Sequence, residues 1–267
     1  MSSAQRASSE PTRIPWNVVL TGLCLVLAAA LRFWIVAVHP PWGSVFSDMG
    51  GYIQNADRIF GGRLSSQVFF QPVGFSAFLA LLRKVGLGYR ALGPLHVIVG
   101  TLTAFLAGRI AAHVESERAA LLTTFVVGMH FSLAYMSGYY MAETLYTFML
   151  TFVSWVIAST RLRTTASVVL ASVVLSVSFW LKGYAGPIVI LALGYFLLRA
   201  REDRGSRWRW LRTGAILACI FATQPALHHE ITRKYANDPQ WGPATSGLNL
   251  VEGKCPWKRN EDSSGYG

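Results

Sequence analysis

Residues 16–38 read WNVVLTGLCLVLAAALRFWIVAV, a run in which Arg32 is the only charged side chain. A helix needs about 20 residues to cross a hydrocarbon core about 30 Å thick, and this run is long enough. It is too long for the core of a signal peptide and lacks an evident cleavage site, so it reads as a retained helix. Comparable apolar runs follow at about 91–112, 119–138, 142–159, 165–181, 184–199 and 209–227. Alternating β-barrel patterning is missing, and helices are then the remaining way to satisfy every backbone group in lipid. The expected fold is all-α, a polytopic transmembrane bundle of about seven spans.

Composition agrees. Of 267 residues 52% are hydrophobic and only 14% are charged, against about 25% charged in a soluble domain. Much of the outer surface must therefore face something other than water. A formal net charge of +11 in a soluble protein would point to nucleic acid. Here the arginines sit between apolar runs, where they set orientation, and nucleic acid is not an expected partner. Three cysteines, Cys24, Cys219 and Cys255, form no CxxC pair, so neither a structural zinc site nor a disulfide framework is indicated.

Around these runs the chain divides simply. Residues 1–15 are polar and serine-rich and read as a cytoplasmic tail, residues 16–227 as the transmembrane module, and residues 228–267 as an outer-face loop. Within the module, residues 39–90 form a long first outer loop. In that loop Val73 to Leu82 is apolar but too short to cross, and it ends in Arg83-Lys84, so it reads as an interfacial or re-entrant helix. Arg6, Arg13, Arg109, Arg118, Arg161, Arg163 and the cluster Arg199, Arg201, Arg204, Arg207, Arg209 and Arg212 fall on one side, in short loops. By the positive-inside rule that side is cytoplasmic, and both long loops lie outside.

Acidic residues are scarce, so their positions are informative. Asp48 opens a segment in which Tyr52 and Ala56 share its helical face and Gly61-Gly62 ends the turn. It reads either as the start of an interfacial helix or as a working carboxylate at head-group depth. Glu143 lies in a short outer turn, where it either favours a helix dipole or serves a site. Asp48 and Glu143 share the predicted outer face, so together they could hold a divalent cation or divide acid and base work. Arg32 and Lys182, near outer helix ends, either snorkel to the interface or grip a phosphate there. His130 falls mid-span, where a packing histidine is the ordinary reading, and His228-His229-Glu230 fits no zinc motif. GxSxG, P-loop, GxGxxG and HExxH patterns are absent, which removes the hydrolase, nucleotide-binding and zinc-protease readings that depend on them.

Leu31-Arg32-Phe33, then Asp48-x3-Tyr52-x3-Ala56, Gly61-Gly62, Gln71-Pro72, a short apolar helix and Met141-Ala142-Glu143 follow one another in order. This layout resembles the conserved N-terminal half of the GT-C membrane glycosyltransferases, a group that includes protein O-mannosyltransferases, aminoarabinose transferases and bacterial relatives. The resemblance implies a sugar transferase that uses a polyprenyl-phosphate sugar lipid, in the bacterial cytoplasmic (inner) membrane, with its site on the outer face. It makes Asp48 the catalytic or metal-binding carboxylate and Glu143 its partner, with Arg32, Tyr52 and Lys182 binding substrate. A divalent metal, Mg or Mn, would be held by Asp48 and Glu143. The stretch Ala244 to Gly253 is similar to the loop that closes over the site in that family. Gln71-Pro72-Val73 departs from it, since many relatives carry a basic residue and paired prolines there. Relatives also continue with further spans, so the sequence is expected to be a fragment of such an enzyme or a non-catalytic subunit. A lipid or small-molecule transporter is the remaining class, and it predicts discontinuous helices with midplane ionisable groups.

Overall fold

The computed structural model describes residues 16–43, 45, 48–160, 162, 164–183 and 185–237, and among them there are helices and turns but no strand. The long helices are α1 (Trp16–Val38), α5 (Leu92–Val114), α8 (Glu143–Thr160), α9 (Thr165–Lys182), α10 (Ala185–Glu202) and α11 (Arg207–Ala236). Between α5 and α8 come α6 (Glu117–Met129) and α7 (Phe131–Tyr135), joined at a sharp break. The first loop folds into α2 (Asp48–Phe60), α3 (Ser66–Phe70) and α4 (Val73–Lys84).

Three helical stretches are long and apolar enough to cross a membrane: Trp16–Val38, Tyr89–Val114 and Thr165–Lys182. The bent pair Glu117–Met129 and Phe131–Gly138, which turns through 53°, makes a fourth if it counts as one span. Among the described residues there are thus three or four clear candidate spans, and the expected seven are not all supported. Helices do stand at the other predicted places. However, α10 ends in Arg199, Arg201 and Glu202, α11 is charged at both ends, and α8 opens on Glu143 and is rich in Ser and Thr. Only 22% of the most apolar stretch of α1 is buried, so its remaining surface needs lipid or another protein against it.

The long helices pack side by side: α1 against α5 and α6, α5 against α8, α8 against α9, α9 against α11 and α11 against α10. Without a hydrophobic drive between helices in lipid, close backbone approach and internal polar bonds must hold them. Small residues supply the approach. A side chain at Gly128 of α6 would meet the Ala28 methyl of α1 at 2.9 Å, and one at Gly108 of α5 would collide with Thr124. Hydroxyls inside the bundle bond back to their own helices, as Thr103 donates to the Val99 carbonyl (2.9 Å) and Thr124 to the Ala120 carbonyl (2.8 Å). Helix ends are capped locally. Ser116 accepts from the Ala119 amide (3.2 Å), Thr164 from the Ser167 amide (3.2 Å), and Gly183 closes α9 in the left-handed region at φ 68°.

The loop helices gather at one end of this array. Tyr52, Ala56, Phe75 and Leu79 of α2 and α4 join Leu92, Ala142, Leu145 and Leu181 in one apolar core. Those last four stand at the ends of α5, α8 and α9, so α4 docks on the end of the bundle, as expected for a segment too short to cross. Gly74 allows the contact, since a Cβ there would lie 2.6 Å from the Trp180 backbone. Asp57 ties α2 to α4 by accepting from Arg83 (2.5 Å) and from the Tyr89 hydroxyl (2.6 Å). A second core, with Val156, Leu175, Phe196 and Trp210, fills the other half of the array.

Residues from His228 on were expected to leave the helix and form a polar loop. Instead α11 runs on to Ala236, with Pro225 inside it. His228 and Thr232, one turn apart, are turned into the interior, and the His228 ring meets Phe69 of α3 at 6.1 Å and Trp180 at 5.4 Å. The loop similarity proposed for Ala244 to Gly253 lies outside the described residues.

Candidate functional site

The break between α6 and α7 organises the site end. A helix that stops inside a bundle leaves its last carbonyls without amide partners. Arg32, only 1% exposed on α1, answers this by donating from Nη1 to the Gly128 carbonyl (2.6 Å) and to its own Ala28 carbonyl (3.1 Å). Gly100 of α5 makes room for it, because a Cβ there would stand 2.5 Å from the Arg32 Nε. His130, expected mid-span as a packing residue, sits at the break, is exposed, and accepts from the Leu133 amide through Nδ1 (3.4 Å).

Glu143 is the first residue of α8 and Lys182 the last of α9. Antiparallel packing brings these ends together, and Lys182 Nζ lies 2.5 Å from Glu143 Oε1. The pair is mostly shielded, with side-chain exposures of 19% and 35%. Its worth is about 1–3 kcal/mol, between exposed and fully buried pairs. The second carboxylate oxygen, Oε2, is a buried acceptor without a hydrogen-bond partner, and the Thr144 hydroxyl and the Arg32 Nε–H donor are likewise unpartnered. All three residues line one small cavity of about 30 Å³ together with Gly100, Thr103 and Thr147. A buried donor, a buried acceptor and a hydroxyl, all without protein partners, therefore border one space. Arg32 and Glu143 bring opposite charges to this cavity, and Lys182, which does not line it, stands behind Glu143 in the ion pair.

The remaining predicted site residues stand apart from this cavity. Asp48 starts α2 and is exposed, and no hydrogen bond or ion pair joins it to Glu143 among the described residues. Tyr52 is buried in the α2–α4 contact, its ring edge-on to Phe75 at 5.0 Å, as a packing residue. No group of three or more His, Cys, Asp or Glu able to hold a metal is present among the described residues. Glu143 Oε1 is bonded to Lys182, so a cation shared with Asp48 would have to displace that ammonium or use Oε2.

Several neighbours carried no sequence signal. Thr144 and Thr147 are ordinary residues of an apolar run, and fully buried His96 of α5 lies against the Ser137 backbone. Just outside the spans, burial pushes the Tyr139 hydroxyl up to about 12, helped by the Tyr135 hydrogen bond, and it raises Tyr140 against the opposing pull of Arg90. Both phenols stay neutral at ordinary pH and are donors, not bases. No family model, curated protein or solved structure matches the chain.

Proposed function

We propose that the chain is a GT-C-like membrane glycosyltransferase that moves a sugar from a polyprenyl-phosphate donor to an acceptor at the outer face of a bacterial cytoplasmic membrane. The module has about seven spans, counting α8, α10, α11 and the bent α6–α7 pair with α1, α5 and α9. The observation that carries this reading is the meeting of Arg32, Glu143 and Lys182 at the end of the bundle roofed by α2 and α4. Two cations, Arg32 and Lys182, at one end of a helix bundle would suit a lipid phosphate, and they need no nucleotide motif.

Asp48, exposed on α2, takes the proton from the acceptor hydroxyl as its oxygen attacks the anomeric carbon. The bond from that carbon to the phosphate oxygen breaks, and the phosphate leaves with the electron pair. Arg32 and Lys182 stabilise the charge that develops on it, while Glu143 holds Lys182 in place. No step runs through a metal. The test is release of labelled sugar from a panel of polyprenyl-phosphate sugars by wild type, Asp48→Asn and Lys182→Met. Release by wild type with loss in both variants supports the reading, and an Asp48→Asn protein working at the wild-type rate sinks it.

One observation favours the transporter reading. The α6–α7 break gives a discontinuous helix with a buried cation on its freed carbonyl. Uptake of the labelled lipid into proteoliposomes without sugar release would select it.

A further inference from the structure

The opposite end of the bundle holds a second site that the proposed reaction does not use. An open cleft of about 460 Å³ lies between the ends of α5 and α8 on one side and α10 and α11 on the other. Arg199, Arg209, Trp210 and Asp203 line one wall, and Val114, Ile157 and Leu162 line the other. The Arg199 guanidinium stands 5.7 Å from the Trp210 ring centre and the Arg209 guanidinium 4.8 Å. Trp210 is itself fixed, because its Nε1 donates to Asp203 (3.4 Å), which also accepts from the Ser206 amide (3.0 Å). Arg209 has no ion pair with any described carboxylate, and Arg199 has only a solvated one with Glu202 (3.0 Å). Both arginines keep a buried Nε without a hydrogen-bond partner.

We propose that this cleft binds the head group of a net-anionic, phosphate-bearing lipid. The paired guanidiniums, held by stacking on one indole, offer planar forks suited to phosphate oxygens. Asp203 offsets one of their charges, and the cleft lining keeps a net positive charge. The apolar wall distinguishes a lipid from free phosphate. On that wall Val114, Ile157 and Leu162 give acyl carbons an apolar surface facing the guanidiniums. Trp208, 81% exposed beside Arg209, stands where an interfacial anchor belongs. Arg201, Arg204, Arg207 and Arg212 add positive potential around the mouth. None of the cleft residues lines the Arg32 cavity, so the proposal stands without the transferase reading.

The test is a binding titration on the delipidated full chain with phosphatidylglycerol, with phosphatidylcholine of the same acyl chains, and with inorganic phosphate as competitor. Wild type is expected to prefer phosphatidylglycerol about tenfold, a difference of the size one charge-assisted contact supplies. Arg199→Gln/Arg209→Gln should erase that preference, whereas Arg58→Gln/Arg63→Gln, at the other end, should keep it. Retention of the preference by the first pair, its equal loss in the second, or displacement of the lipid by millimolar phosphate each overturns the proposal. A photoreactive phosphatidylglycerol covers the case in which the glutamine pair does not fold. On wild type it should label residues 195–212, and labelling confined to other segments refutes the site.

Discussion

The two ends of the bundle both carry cations, and they hold them in opposite ways. At the Arg32 end the charges lie within the helix packing, and protein atoms answer each one: carbonyls for Arg32, a carboxylate for Lys182. At the Arg199 end the guanidiniums lie at the rim, stacked on Trp210 and open to the surroundings. A charge taken inside must find a partner or be lost from the fold, because desolvation costs several kcal/mol. A charge at the rim is answered by water or lipid and is free to bind. Substitutions at the two ends should therefore differ in kind, with stability lost alongside transfer at one and lipid binding alone lost at the other.

Arg32→Met is the largest expected effect. The substitution keeps an unbranched chain but removes both carbonyl bonds and leaves the buried Gly128 carbonyl at the helix break unanswered. Relief of the desolvation of a buried cation opposes this. The orphaned carbonyl and two charge-assisted bonds outweigh it, and about 2–4 kcal/mol of destabilisation should result. Thermal unfolding in detergent measures it, and a variant as stable as wild type would mean that Arg32 is not the cap of the broken helix.

Glu143→Gln comes next, at about 1–3 kcal/mol, since it strands Lys182 in a shielded position. Combining it with Lys182→Met should restore part of the loss, with a coupling of about 1–2 kcal/mol in a double-mutant cycle. Additive effects would show that the two side chains do not depend on each other. Sugar release should fall in Glu143→Gln as well, through the misplaced lysine.

Arg209→Gln should barely move stability. Its stacking on Trp210 is worth about 0.5–1 kcal/mol at an open site. Moderate salt should weaken what remains, while the Arg32 variant's deficit should persist in salt because buried pairs are screened little. If Arg209→Gln unfolds the protein as Arg32→Met does, the contrast between the ends is lost.

Sequence showed one half of this arrangement better than the other. Hydropathy marked α1, α5 and α9, whose apolar runs are long and clean, and it favoured an interfacial or re-entrant place for α4. Spacing from Asp48 to Tyr52 and Ala56 found α2, although Tyr52 and Ala56 proved to be buried while Asp48 stayed exposed. The bend at His130 was not visible, because no proline lies between Glu117 and Gly138 and the break depends on what α1 offers it. The extension of α11 was missed for a related reason. Hydropathy reports surroundings, and residues such as His228 and Thr232 remain helical inside an aromatic pocket that only the fold assembles. Likewise, which way Glu143 and Lys182 face depends on the rotation of α8 and α9, so sequence placed both at one end without pairing them.

The smallest expected effect probes the rim by acid. The Ser206 amide, with help from Trp210, holds the Asp203 carboxyl below its usual range. A depressed carboxylate contributes stability that is complete above the usual value of 3.8 and is lost as pH falls through the folded one. The thermal midpoint of wild type should therefore decline below pH 4 more steeply than that of Asp203→Asn, whose side-chain oxygen still accepts from Ser206 but does not titrate. Above pH 5 the two proteins should differ only slightly, because the carboxylate is exposed and its charge is screened by solvent. Protonation should also loosen Trp210 and with it the stacking of Arg199 and Arg209. Lipid preference and the acid limb of stability should then fall together in wild type and separate in the variant. If they stay together in Asp203→Asn, Asp203 does not set the Trp210 position on which the cleft is built.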